Sequence, residues 1–510
     1  MRFPLLLMMT IAGILAGHAM RLTPVWGLGV TAAGLLAALA DAWYARKSPL
    51  KAVKSDWIGL LSAAFVMCGL GMVTMSLHEP PAEYRDIDGR IVTLRGRVKG
   101  RTIGTRGERF TVEVPYGATT ADVMVVSWGE SGLEPGDIVV CRGKAVAEES
   151  EMTGSPAMTV IMGFKRHPEK VGHSGGVDVW FWSMRERLAA AIEHARMGSR
   201  SRAMLKALLL ADRDAIGREE RELLKDAGLS HALALSGLHV GILAFSLLIL
   251  LVPLNLVEGW KVRYLVVMAF VWVFVMLTGM GISAVRAALM FTLMGAGRIL
   301  ERRIHPFQGL CLAAIIIILR NPWALDAVGF QLSFMCVASL TLFAEPLNPV
   351  DHHRHPRLFD ACGLVMTTLT ATGATWMLMG YHFGEVTADF LPANMIMLPL
   401  LPYYMGIGIL HVILTALNLE IEALGAMLDK ATEWAFALLE GFHGDTVPMA
   451  PQAGPTLLWC LGVLVFGMSL NRRRLRGMVR TGSVRTQEVW RPGLWVGGAC
   501  GLAGVLLLLF

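Results

Sequence analysis

Charged residues are scarce in this chain of 510 residues: 17% are Asp, Glu, Lys or Arg, whereas 54% are hydrophobic. A soluble domain has about 25% charged residues and could not bury such an apolar surplus. Uninterrupted apolar stretches of about twenty residues recur, which is long enough to cross a bilayer. The composition excludes a cytosolic enzyme, a disulfide-stapled secreted domain and a disordered tail. It predicts a polytopic α-helical membrane protein with about 10–12 membrane segments, some of which can be re-entrant.

Cysteine patterns and nucleotide motifs are also missing. The seven cysteines are scattered without a CxxC pair, and only Cys141 lies in a polar region, which excludes a disulfide framework and a zinc knuckle. No GxxxxGK[ST] sequence is present, so any use of ATP would require a partner protein. We expect no cofactor and no metal site, and we interpret the run from Asp351 to His355 as a charged loop.

Basic residues are concentrated in a few loops between the apolar stretches. With an alternating path through the membrane, the strongly basic loops at 46–54, 298–303, 352–357 and 472–485 all fall on one side. The positive-inside rule assigns that side to the cytoplasm. The sequence therefore predicts a multi-pass membrane protein with a cytoplasmic N-terminus and an extracytoplasmic polar region near 78–170. Residues 3–20 also fit a signal peptide, and the number of crossings between 385 and 455 stays open.

These patterns divide the chain into five predicted regions. They are N-terminal membrane helices (1–77), an extracytoplasmic β domain (78–170), an amphipathic helical connector (171–230), a membrane domain (231–470), and a basic cytoplasmic loop with a last membrane helix (471–510).

The extracytoplasmic region has the pattern of a small β domain. Five short stretches are rich in β-branched residues and are separated by turn signals such as Glu134-Pro135-Gly136-Asp137. They are residues 91–101, 108–115, 121–128, 137–147 and 157–165. Five short strands predict a small barrel of the OB type, inserted between membrane helices.

The first of these strands carries a regular series of cations. Side chains alternate between the two faces of a strand, which predicts that four cations share one face. They are Arg95, Arg97, Lys99 and Arg101, and Arg106 and Arg109 extend the series. One interpretation is a track that binds a polyanion such as DNA. The alternative is a solvated strand face without a partner.

A polar segment enters the membrane at His231-Ala-Leu-Ala-Leu-Ser236-Gly237-Leu-His239-Val-Gly241. On a helix, Ser236 and His239 share a face, with His231 at its flank. Gly237 and Gly241 lie opposite, at the spacing that permits close approach of a second helix. An ionisable group at membrane depth indicates either a functional site or a histidine bonded for packing alone.

Further polar residues interrupt the later apolar segments. Arg286 lies between two apolar helices, and Asp326 and Gln331 enter an apolar helix after Asn321-Pro322. Asn394 lies among Pro392, Pro399 and Pro402, which predicts a broken helix, tolerated where it lines a cavity. Together these residues predict a polar pathway through the helices.

Four motifs in this order resemble the ComEC family of competence proteins. The block from His231 to His239 resembles the family's H-L-x-A-[IV]-S-G-L-H helix, with Leu235 at the aliphatic position. The block from Ser283 to Ala287 resembles S-x-x-R-A, with Ala284 where proline is common. The segment from Asn321 to Phe334 resembles N-P…D…G-F-Q-L-S-F, and Asn394 with Pro399 resembles a later N…P break.

The resemblance implies an inner-membrane channel for uptake of single-stranded DNA during natural transformation. The external barrel would bind DNA, and the residues at motif positions would line or shape the channel: Ser236, His239, Arg286, Asp326, Gln331 and Asn394. The implied partners are DNA, membrane lipids, an external DNA receptor, a separate nuclease, and a cytoplasmic ATP-driven translocase or single-strand-binding protein. The oligomeric state stays open, because the face with Gly237 and Gly241 can pack within one chain or between two copies.

The sequence departs from many family members in one respect. They carry an external metallo-β-lactamase-like domain, whose HxHxD ligand cluster does not occur in these 510 residues. We therefore expect no enzymatic activity from these residues, and either another protein supplies the nuclease or the sequence is part of a longer chain.

Two other functions stay open. One is transport of another anionic polymer or solute by the same basic strand and pathway. The other is a membrane-embedded hydrolase using Ser236 and His239, although the GxSxG elbow and a neighbouring acid are missing.

Overall fold

The computed structural model describes most of the chain. The described ranges are 2–21, 23–47, 52–78, 89–104, 107–116, 119–128, 131–149, 156–162, 167–229, 237–253, 260–302, 304–344, 356–387, 390–417, 419, 421–442, 446–449 and 451–470. The predicted last membrane helix, its basic loop and the run from Asp351 to His355 lie outside these ranges.

Helices make up most of the described residues. In chain order they are α1 (Arg2–Met20), α2 (Pro24–Lys47), α3 (Ala52–His78), α4 (Val177–His194), α5 (Ser199–Leu210), α6 (Arg218–Asp226), α7 (Gly237–Leu250), α8 (Trp260–Leu277), α9 (Ile282–Ile299), α10 (Pro306–Arg320), α11 (Val328–Ser339), α12 (Pro356–Phe383), α13 (Phe390–Ala416), α14 (Glu422–Leu439) and α15 (Ala453–Leu470).

Strands form one six-stranded sheet and one short pair. They are β1 (Ile91–Gly104), β2 (Gly107–Tyr116), β3 (Thr119–Ser127), β4 (Asp137–Glu149), β5 (Pro156–Met162), β6 (Glu169–His173), and the pair β7 (Glu385–Thr387) and β8 (Thr446–Pro448).

Six helices are long and apolar enough to span a membrane: α1, α2, α3, α9, α12 and α13. Four shorter helices are also apolar: α7, α10, α11 with its continuation to Phe343, and α15. Their lengths and composition agree with the predicted multi-pass helical membrane protein, and the inserted barrel completes the predicted fold class.

The chain divides into two compact units, which are described separately. The first unit contains 1–80, 289–384 and 449–510, and the second contains 81–288 and 385–448. The boundary passes through α9.

In the first unit, α1 and α2 both pack closely on α3. Glycines permit this approach, because a Cβ on Gly13 would overlap the carbonyl of Cys68, and Gly27 faces the backbone of Gly69. At one end of the unit, the indole N–H of Trp323 donates to the carbonyl of His78 at 3.0 Å, and the ring of His18 lies against the same indole. The C-terminal ends of α1 and α3 therefore meet the turn that follows α10.

The opposite ends of the same helices meet in an apolar cluster. Leu342 and Phe343 are buried there with Phe307 at the start of α10. Phe3 of α1 and Phe466 of α15 pack against them. The helix ends that meet in each cluster are the ends that an alternating membrane path places on the same side.

In the second unit, β1 to β5 close into a barrel in the order β1-β2-β3-β5-β4, with β4 returning to β1. All five predicted strands are present. The core consists of inward-facing residues at alternate positions, among them Val98, Phe110, Val125, Val139 and Val160.

The sixth strand, β6, was not predicted. It pairs with β4 and is held by Asp137, whose carboxylate accepts from Lys170 and from His173 at 2.8 Å each. Burial alone would raise the pKa of Asp137, but these two groups and the backbone N–H of Glu134 lower it below its usual value. Gly136 precedes this aspartate with a φ of 93°, and a Cβ would lie 2.8 Å from the carbonyl oxygen of Ser174, so the turn requires glycine.

The prediction that four cations share one face of β1 is wrong for Arg101. Arg97 pairs with Glu113 of β2, but a β-bulge between Val98 and Gly100 shifts the register so that Arg101 lies opposite the buried Phe110. The extra residue reverses the alternation of faces. Arg101 therefore turns towards the core side, where its guanidinium binds Glu108 at 3.0 Å.

The pair of Arg101 and Glu108 supports the barrel. The Glu108 side chain is 1% exposed and also accepts from the backbone and hydroxyl of Ser131. We expect Arg101→Gln to lower the free energy of unfolding by about 3 kcal/mol, because it leaves a buried carboxylate without its cation. Pulse proteolysis of the full chain in urea measures this loss. The control Arg97→Gln, at a pair with more solvent, should cost less than about 1 kcal/mol, and equal losses would contradict the assignment.

The broken helix predicted around Asn394 is also wrong. α13 runs without interruption from Phe390 to Ala416, with Pro399 and Pro402 inside it. Each proline removes only one N–H donor. In an apolar environment, opening the helix would leave further peptide groups unsatisfied at several kcal/mol each, so the continuous helix is favoured.

Candidate functional site

The outer face of the barrel carries cations in two different states. Arg97 binds Asp178 at 2.8 Å and Glu113 at 3.4 Å, and Lys99 binds Glu113 at 3.0 Å. These carboxylates neutralise the two cations locally. Arg95 is exposed and, among the described residues, forms no ion pair. Of the other predicted cations, Arg109 is exposed on β2, and Arg106 lies outside the described residues.

Two cations that the sequence analysis did not select lie next to Arg95. Arg142 and Lys144 of β4 are exposed, and they lie directly opposite Thr93 and Ile91 of β1. Residues paired across strands share a face, so Arg95, Arg142 and Lys144 all lie on the outer face. Arg95 and Arg142 are diagonal neighbours, about 7–8 Å apart, and Lys144 follows Arg142 on the same face of β4. We call these three residues the barrel basic patch. The alternation of Arg142 and Lys144 with buried Cys141 and Ala145 was the available signal.

Another cation, Arg286, is buried among the membrane helices of the same unit. A short turn containing Gly279 and Met280, both with positive φ, joins α8 to α9. Arg286, in the second turn of α9, is 5% exposed. Its guanidinium lies against Gly237 of α7, where a Cβ would overlap one terminal nitrogen. The glycine therefore provides the space for the guanidinium.

This contact changes the interpretation of the two glycines in α7. Gly237 faces the Arg286 guanidinium together with the Cβ of Ala287 on α9, whereas a Cβ on Gly241 would meet nothing within 4 Å. His239, on the same helix, is buried at 1% exposure. His231 and Ser236 lie outside the described residues. The described part of the predicted polar segment thus contains Gly237 and His239, and Arg286 of α9 contacts it at Gly237.

The two glycines provide a matched test. We expect Gly237→Ala to displace the Arg286 guanidinium and to reduce DNA uptake about tenfold, equivalent to about 1.4 kcal/mol. Gly241→Ala adds the same methyl group to the same helix in open space, so uptake should stay within about twofold of the wild type. The measurement is DNase-resistant labelled DNA in cells at matched membrane abundance. Equal loss of uptake in both variants would show that uptake depends on the packing of α7 rather than on the position of the arginine.

Asn394 lies on α13 in the same unit. It is 5% exposed, and its amide oxygen has no hydrogen-bond partner among the described residues. Because buried amide oxygens are normally bonded, this atom is available to a water molecule or a ligand.

The remaining pathway residues belong to the first unit. Gln331 of α11 donates to the carbonyl of Leu325 at 2.8 Å and contacts Nε2 of His382 through its amide oxygen at 2.8 Å. It thereby joins the turn before α11 to the end of α12. Asp326 is exposed in that turn. The sequence analysis did not select His382.

The pathway residues are therefore divided between the units. Gly237, His239, Arg286 and Asn394 lie in the second unit, and Asp326 and Gln331 in the first. Among the described residues, no three His, Cys, Asp or Glu side chains come together as metal ligands.

Comparison with known proteins agrees with the family resemblance of the sequence. The profile of the Competence protein family matches residues 208–474, which is more than half of the chain. Over 291 residues the chain is 28% identical to ComE operon protein 3 of Bacillus subtilis (strain 168), and the match covers 56% of this chain and 36% of that relative. No solved structure matches the chain significantly. The multi-pass helices, the inserted barrel and these matches together place the chain in the ComEC family of competence proteins.

Proposed function

We propose that the chain is an inner-membrane channel that admits single-stranded DNA to the cytoplasm during natural transformation. The observation that carries the proposal is the buried Arg286 guanidinium, held against Gly237 among apolar helices. A cation at that depth is costly, and such groups mark substrate or ion pathways. A guanidinium binds phosphate oxygens in fork geometry, which suits a phosphate backbone.

The barrel would be the external binding site in this proposal. The barrel basic patch offers three exposed cations that no carboxylate of the described residues neutralises. Cations on one face attract a phosphate backbone and release its counterions. Arg97 and Lys99 would contribute less, because Glu113 and Asp178 already balance them, and Arg101 would stabilise the barrel rather than bind.

The proposed orientation places the barrel outside and the N-terminus in the cytoplasm. The clustering of helix ends in the first unit supports the alternating path, and the basic loops support its direction. Ser236 and His239 would shape the channel without chemistry.

The proposal is tested by uptake of labelled DNA into a DNase-resistant pool. A deletion strain should lose uptake, and the wild-type chain should restore it. Retained uptake in the deletion strain would favour the second candidate, a transporter for another anionic polymer, which the same cations would serve.

A further inference from the structure

His411 of α13 is a buried histidine whose ring nitrogens lack hydrogen-bond partners among the described residues. The side chain is fully buried. A neutral imidazole carries one donor and one acceptor, and both are normally satisfied when buried. The imidazole is thus a buried polar ring whose donor and acceptor have no hydrogen-bond partner among the described residues.

The ring lies where three elements meet. A Cβ on Gly425 of α14 would lie 3.5 Å from Nε2 of His411. The same Cβ would overlap the carbonyl oxygen of Arg196, in the loop between α4 and α5. The loop therefore presses onto α14 directly beside the imidazole. An apolar cluster that includes Leu205, Val412 and Leu428 lies where the same elements pack together.

Polar contacts fasten the loop to α14 on both sides of Gly425. One turn before it, Glu422 binds Arg196 at 2.9 Å. One turn after it, Asp429 accepts from the backbone N–H of Gly198 at 2.8 Å and from the hydroxyl of Ser201 at 2.6 Å. We call this set of contacts the loop clasp. The carboxylates that could balance a charged imidazole are thus already engaged.

Other ionisable groups lie on the packed elements. They are Asp178, Arg185, Glu186, Arg187, Glu193 and His194 on α4, Arg200, Arg202 and Lys206 on α5, Lys430 and Glu433 on α14, and Tyr403 and Tyr404 on α13. Glu193 is occupied by Lys206 and Arg202, and the Tyr404 hydroxyl is bonded to Thr432 at 2.8 Å. Among the described residues, Glu422 and Asp429 are the acids nearest in sequence to Gly425.

We propose that His411 is a proton-binding site and that its protonation opens the loop clasp. A proton from water added to the ring creates a buried cation without a partner. The cation is stabilised when Glu422 or Asp429 turns to it, or when water enters, and either change detaches the loop from α14. Because α4 and α5 follow the barrel in sequence, the clasp would make the connector respond to pH. This inference does not rest on the proposed function.

Hydrogen–deuterium exchange of the full chain in lipid nanodiscs tests the proposal. Exchange is measured between pH 7.5 and 5.5, corrected for intrinsic rates, in peptides covering 195–202 and 422–432. In the wild type, protection should fall with pH, by up to about tenfold per unit for one linked proton. In His411→Phe, which fills the site but cannot be protonated, the corrected protection should not change with pH.

Controls separate His411 from its surroundings. His194→Gln removes an exposed histidine of the same region and should keep the wild-type response. If His411→Phe fails to insert, His411→Gln replaces it with a polar group that does not titrate. Constant protection in the wild type, or the same fall with pH in the His411 variants, would overturn the proposal.

Discussion

Arg286→Ala should reduce DNA uptake about 100-fold at unchanged membrane abundance, which corresponds to about 2.7 kcal/mol of lost stabilisation. Arg286 is 5% exposed and its guanidinium lies against Gly237, so its charge acts in a poorly solvated setting. Contacts to phosphate in such a setting are strong because little water competes. Arg286→Lys should restore only part of the uptake, since an ammonium lacks the planar fork.

The matched control for this prediction is Arg298→Ala. Arg298 lies on the same helix, but it is exposed in its last turn. The substitution Arg298→Ala removes an arginine side chain from α9 but leaves the buried site intact, so uptake should stay within about twofold of the wild type. Abundance and protease resistance of each variant identify folding defects. Full uptake in Arg286→Ala would remove the main support for a cation-lined pathway.

Neutralising the barrel basic patch should weaken DNA binding and change its salt dependence. In the triple variant Arg95→Gln, Arg142→Gln and Lys144→Gln, the slope of log affinity against log salt for single-stranded DNA should fall by about 2, since each contact contributes about 0.7. Affinity at low salt should drop at least about tenfold. The measurement is fluorescence anisotropy with the full chain at several salt concentrations.

The matched control uses cations that are already paired. Arg97→Gln with Lys99→Gln removes two charges from the same face, but Glu113 and Asp178 bind these residues in the wild type. We expect the slope to fall by less than about 0.7. If this double variant flattens the slope more than the triple variant does, the binding surface lies along β1 rather than across β1 and β4.

The sequence was informative where a residue's environment is set by local periodicity. The alternation along the five strands and the turn at Pro135-Gly136 can be predicted from residues that are close in sequence. The barrel has these five strands and this turn. The apolar stretches likewise predicted the multi-pass helices. The family motifs selected Arg286 and Gln331, which the structure places in a buried contact and in a hydrogen-bonded pair.

Other features depend on register and tertiary contact, which the sequence does not reveal. The bulge after Val98 turns Arg101 inward, and only strand pairing exposes that shift. The neutralisation of Arg97 depends in part on Asp178, which lies 81 residues away. The continuity of α13 through its prolines depends on its apolar surroundings. Arg286 meets Gly237 from a different helix, so neither residue alone indicates the contact.

The most direct test of the channel is passage of DNA through the purified chain. The full chain is reconstituted in liposomes that hold a single-strand-binding protein in the lumen, and labelled single-stranded DNA is supplied outside. Label should become nuclease-resistant with the wild type, and much less so with Arg286→Ala. If the wild type protects no more label than protein-free liposomes under the same conditions, the chain does not by itself conduct DNA.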